Sequence, residues 1–264
     1  MSQTARFSQA VLFVASWMAL GWCFHLNAYA YLVVGIPLCI LFQHYVCRRP
    51  LRCCWVRDTT RFRLCLFGIA IALAFLIIPG WLLVKEWPGA NWGVRLYFLA
   101  SLVGAVGIAF ALRQFTASAA RSLLLCLATA GVLGCAMMLL LAFAQHHEFA
   151  LTLGRARFAS GQFLALLPVC FVMEEVAFRG VLDSHIQHPQ DSRPWLSAIL
   201  LSAMWGWWHL PIAPASALGA GIVAFPITHA MLGVPFSLFW RRSGNLLVPA
   251  AVHALIDAVR NTVL

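Results

Sequence analysis

Residues 64–84 read LCLFGIAIALAFLIIPGWLLV, a run with no charged side chain. A segment that long and that apolar matches the ~20 residues needed to cross ~30 Å of hydrocarbon. Working outward, comparable stretches recur near 9–24, 28–46, 94–112, 122–144, 160–182, 195–212, 216–239 and 245–260. The chain has 264 residues, of which 62% are hydrophobic and 10% charged. Its mean hydropathy is +0.86. A soluble domain of this length needs far more charge to cover its surface. The ten-residue alternation of a β-barrel is absent. The expected fold is therefore all-α, a polytopic membrane bundle of eight or nine transmembrane helices. The first pair and the last two spans are the shortest or most interrupted. The N-terminus lacks a clear small-x-small cleavage site and reads as a first span. No linker or repeat divides the chain, so 1–264 reads as one transmembrane domain.

The formal net charge is +10. In a membrane chain that excess reports topology and not nucleic acid. Arg48, Arg49, Arg52, Arg57, Arg61 and Arg63 crowd one loop. With that loop cytoplasmic and nine spans, Arg6, Arg113, Arg121, Arg193, Arg241 and Arg242 join those six, making twelve. Lys85, Arg95, Arg155, Arg157 and Arg260 make five on the other side. The positive-inside bias then predicts an inner or plasma membrane protein with a cytoplasmic N-terminus, its basic loop against anionic lipid headgroups. The nine cysteines form no CxxC and lie mostly in spans, so neither a disulfide framework nor a zinc cluster of cysteines is expected.

The acidic residues number eight. Asp58, Glu86 and Glu148 fall between spans. Glu174 and Glu175 fall inside the sixth span, Asp183 near its end, Asp191 just beyond it, and Asp257 inside the last span. Charge in a span costs ~2.5–3.5 kcal/mol at the helix centre, which makes it functional by default. Glu175 and Arg179 are spaced i,i+4 and can neutralise each other as a clamp. Glu174 points away from that pair on an α-helix and is left without a partner. His209 follows three tryptophans in MWGWWHLP, and His253 stands one turn from Asp257 in VPAAVHALIDAV. A carboxylate can orient an imidazole. His229 has no acidic neighbour in its span and reads as structural.

Two chemistries fit these residues. Glu174 and a histidine can share a water and deprotonate it for attack on an amide carbonyl. Alternatively Glu174, His209 and His253 can ligate zinc, leaving a fourth position open. Neither GxSxG nor HExxH is present. Proton-coupled transport would predict inverted repeats and discontinuous helices in both halves of the chain, and acidic residues fall within spans only in the second half.

The motifs EEVAFR (174–179), WGWWH (205–209) and HALID (253–257), in this order, resemble the CPBP family of CAAX-processing and bacteriocin-processing, Abi-type intramembrane endopeptidases. The resemblance covers about 160–260, the expected catalytic core, with 1–150 as accessory helices. It implies a glutamic-type protease with its site within the bilayer and a membrane-bound protein or peptide substrate. By position, Glu174 and His209 would activate water, His253 and Asp257 would bind the oxyanion, and Glu175 and Arg179 would hold the site in shape. It implies no obligatory cofactor, although the family was long suspected of using a divalent metal. Two positions depart from the common pattern: Trp205 stands where Phe is usual, and Asp257 where Asn is frequent. A non-catalytic scaffold or immunity protein of the same fold is the alternative.

Overall fold

A computed structural model describes residues 2–146, 152–187 and 193–264. Glu148 and Asp191 lie outside the described residues. Helix dominates, and the one β-bridge among the described residues joins Val56 to Asn245. The bundle comprises α1 (Gln3–Cys23), α2 (Ala28–Leu41, extended by a π turn Phe42–Cys47), α3 (Leu66–Glu86) and α4 (Trp92–Arg113). Next come α5 (Ala117–Cys126), a π turn Leu127–Gly131, and α6 (Val132–His146). α7 (Leu153–Val169) runs into a π segment Cys170–Asp183 and the short α8 (Ser184–Ile186). α9 (Pro194–Trp208), α10 (Leu218–Ser243) and α11 (Leu247–Val263) complete the chain. Each expected span coincides with one of these helical runs. Among the described residues, five helices are long and apolar enough to cross a membrane on length and composition alone. The chain is an integral membrane protein.

Capping marks the boundaries. Asn27, Asn91, Thr116 and Thr152 each accept a hydrogen bond from the backbone N–H three residues on. This satisfies donors that the first turn leaves orphaned. Gly244, at φ +64°, ends α10 in the left-handed conformation that glycine adopts without strain. The core is aromatic: Trp17, Tyr31, Phe178 and Trp208 interlock, and Trp17 Nε1 donates to Tyr31 O at 2.9 Å. Tyr31 in turn donates to Trp208 O at 2.8 Å. In hydrocarbon, such polar tips must find partners inside the protein.

The basic loop does not simply lie on headgroups. Its middle, Leu51–Cys54, forms a 3-10 turn with Cys54 buried. A Cβ on Gly180 would sit 2.5 Å from Cys54 O, so only glycine lets the loop approach this closely. Arg57 N donates to Gly244 O at 2.7 Å, and Leu246 N to Trp55 O at 3.0 Å. The loop therefore plugs one end of the bundle. At that same end Asp183 is clamped by Arg241, with Nη2 to Oδ1 at 2.6 Å and Nε to Oδ2 at 2.9 Å. Arg241 is thereby committed to structure.

Candidate active site

α7 and its continuation carry the paired carboxylates. The π segment is unusual, since π geometry mostly appears as single turns and often at functional sites. Its wider turn alters the directions expected for an α-helix. Glu175 is fully buried, and Arg179 Nη1 reaches its Oε1 at 3.5 Å. The guanidinium also lies 4.4 Å from the centroid of Trp205 and 5.3 Å from that of Phe236. A cation held over two ring faces is stabilised where no water can reach it. Arg179 Nη2 completes the clamp by donating to Gly233 O at 3.5 Å. A Cβ on Gly233 would lie 2.7 Å from Arg179 Nη2 and 2.5 Å from Ser202 Oγ. Gly233→Ala is therefore expected to displace the clamp and reduce folded yield by an amount typical of overpacking, about 1–3 kcal/mol, read by thermal unfolding in detergent.

Glu175 also has a partner that local spacing does not reveal. His253 Nδ1 donates to its Oε1 at 2.8 Å, across 78 positions of sequence. Glu175 thus faces the imidazole as well as Asp257, the carboxylate that local spacing suggests. Asp257 Oδ2 faces the other ring nitrogen, Nε2, at 3.6 Å. Its Oδ1 is paired with Arg260 Nη1 at 3.0 Å, and Cys170 Sγ donates to Oδ2 at 3.7 Å.

His209 caps the C-terminal end of α9, where the 3-10 turn Leu210–Ile212, with Pro211 inside it, stops the helix. Its Nδ1 donates to Trp205 O at 2.8 Å, satisfying a last-turn carbonyl and leaving Nε2 free. Glu174 is not partnerless: Trp205 Nε1 donates to its Oε2 at 3.0 Å. The same oxygen lies 3.9 Å from Nε2 of His209 and 3.9 Å from Nε2 of His253. Three groups from three helices thus converge on one point.

His229 joins them. It read as structural from sequence, but its ring centroid lies 4.4 Å from that of His209 and 4.7 Å from that of Trp205. Its Nδ1 donates to Phe225 O at 2.7 Å, the pattern of His209 repeated on α10. The local sequence carried no sign of this, because its companions come from another helix.

The convergence point opens into a cavity of about 860 Å³ lined by Glu174, Trp205, His209, His229, His253 and Asp257, with aliphatic walls from α2, α6 and α10. Trp207 faces outward and bonds Ile222 O at 2.8 Å. Among the described residues, the ligand atoms that all lie within 4.8 Å of one another are those of Cys170, His253 and Asp257; the expected set of Glu174, His209 and His253 is not gathered that closely.

Residues 156–259 match a family model described as Rce1-like, type II CAAX prenyl endopeptidase. Over this stretch the chain is similar to the Rce1-like CAAX endopeptidases. The six residues of the three motifs all lie within the Rce1-like stretch, and at family level the match carries the reading of a CAAX-type intramembrane protease. No curated protein and no solved structure matches the chain.

Proposed function

We propose that the chain is an intramembrane endopeptidase that hydrolyses a peptide bond of a membrane-associated substrate by attack of a water activated by Glu174 and His209. The observation that carries this reading is the set of 3.9 Å gaps between Glu174 Oε2 and the two Nε2 atoms. Glu174 Oε2 and His209 Nε2, whose ring donates through Nδ1, face each other as two acceptors, and a water donating to them would bridge that gap. Glu174 takes the water proton as its oxygen bonds to the carbonyl carbon. The carbonyl oxygen becomes an oxyanion beside His253 Nε2. Collapse breaks the C–N bond, and the proton returns from Glu174 to the leaving amine.

Charge balance supports His253 as the oxyanion donor. Glu174, Glu175 and Asp257 bring three negative charges, and Arg179 and Arg260 two positive ones. One further proton neutralises the cluster. His253 has a carboxylate on each of its nitrogens, which suits an imidazolium donating from both. His209→Ala is expected to lower cleavage by about 10²–10⁴-fold without loss of folded protein.

The zinc reading uses the same three atoms, and a metal there would polarise the carbonyl and acidify the bound water. Metal removal separates the two. Dialysis against a strong chelator is expected to leave cleavage within about twofold, whereas loss of activity restored by added zinc would assign the site to the metal. The substrate-level test compares membranes bearing wild type and Glu174→Gln by terminal proteomics. Fragments that appear only with wild type support the proposal. Identical termini, with both proteins folded, favour a scaffold.

Trp205 has a role that the usual Phe cannot fill, since its N–H holds the Glu174 carboxylate. Trp205→Phe is expected to keep the fold and lower cleavage by about 10- to 100-fold, because a hydrogen bond to a charged group is worth ~1.5–3 kcal/mol.

A further inference from the structure

We infer that the cavity is loaded from the end of the bundle opposite the basic loop, between α6 and α10, so that its substrates are polypeptides presented from the extracytoplasmic leaflet and not tails reaching in from the cytosol. This rests on the proteolytic reading for what is loaded, but the direction of loading rests on geometry alone.

The cavity runs from the middle of the bundle out to one end. Ala28 opens α2, Ile212 follows the end of α9, Ala224 lies in the first turns of α10, and Arg260 lies in the last turn of α11. All four stand at the end reached by leaving the basic loop along any of these helices. The other end is shut. Cys54 is buried against Gly180, and Trp55 packs in the core with Phe110 and Phe171. Asp183, Arg241 and Ser197 close the space beside them.

The lateral opening has a structural cause. Toward the plugged end α10 packs against α5 and the π turn Leu127–Gly131. Farther along, α10 and α6 face each other across the cavity, with Met137 and Met138 on one side and Ala224 and Thr228 on the other. The wall residues are apolar and the adjoining outer surfaces are too: Leu140, Ile222 and Val223 are exposed. A gap in such a surface at membrane depth faces lipid. Thioether side chains at its edge adapt to varied shapes. The charge bias supplies the sidedness. The plugged end carries the twelve basic residues and the open end the five, which places the plug in the cytoplasm.

Two native cysteines read this directly. Cys23 ends α1 at the open end and is exposed, and Cys65 precedes α3 in the basic loop and is exposed. The backbone N–H of Gly68 holds the Cys65 thiol below the usual range, so Cys65 is not an unreactive thiol. Intact cells expressing the full chain are treated with a membrane-impermeant maleimide, and the modified peptides are quantified. Cys23 is expected to be labelled about tenfold more than Cys65, with the preference lost or reversed after permeabilisation, where thiolate reactivity decides. A Cys23 to Cys65 ratio at or below one in intact cells overturns the inference. The pattern is expected to be the same in Glu174→Gln, which cleaves nothing, so failure of the loading direction and failure of the proteolytic reading give different results.

Discussion

Glu174→Gln is expected to lower peptide cleavage by about 10²–10⁴-fold while the protein folds and runs as wild type in detergent. The two side chains have nearly the same shape, and the amide oxygen of Gln still accepts from Trp205 Nε1, now 3.0 Å from the carboxylate. Packing around the site therefore stays as it is. What disappears is the ability to hold a proton taken from water. The position of Glu174 makes the loss large. It alone among the carboxylates of the cluster has neither an arginine partner nor a hydrogen bond to imidazole: Glu175 is held by Arg179 and His253, and Asp257 by Arg260. Neither of the others is free to replace it as a base. Single-turnover cleavage with purified protein reads the effect, and a normal rate would show that Glu174 is not the base.

The fold was legible in the sequence because the bilayer reduces it to one question, which runs are apolar enough. Each expected span, 64–84 among them, coincides with a helical run. The six candidate site residues stood out in the sequence for a related reason, since ionisable groups are conspicuous against a lipid-compatible background. Their partnerships were not. Local spacing reports only what one helix presents on one face, so it paired Glu175 with Arg179 and His253 with Asp257. The bond from His253 to Glu175 joins helices far apart in sequence. The π segment also escaped, because its residues have no composition of their own and its wider turn is a product of packing. His229 was set aside for having no acidic neighbour on α10, and its neighbour in space is His209. The basic loop illustrates the limit most plainly. Its charge predicted a position at the headgroups, while the glycine at 180 that lets Cys54 plug the bundle acquires meaning only once both are placed.

Arg179→Ala is expected to cost about 3–5 kcal/mol and to remove most folded protein, a larger stability effect than any other single change in the site. Arg179 is 1% exposed and Glu175 0%, so truncating one leaves the other's charge in hydrocarbon-like surroundings. The loss would spread. Glu175 Oε1 holds His253 Nδ1 at 2.8 Å, and the guanidinium supports the faces of Trp205 and Phe236. Trp205 in turn holds Glu174. The clamp is thus structural in its contacts and catalytic in its consequences, and stability and activity have to be separated by a second variant. Replacing both members, as Glu175→Gln with Arg179→Met, removes the isolated charge, and buried pairs exchanged for neutral residues of similar volume are often tolerated. The double variant is expected to recover folded yield, measured by fluorescence-detected size exclusion, but to stay poorly active, because a Gln carries no charge to hold an imidazolium at His253. Recovery of both yield and activity would reduce Glu175 and Arg179 to packing. Recovery of neither would mean that the π segment itself depends on the ion pair.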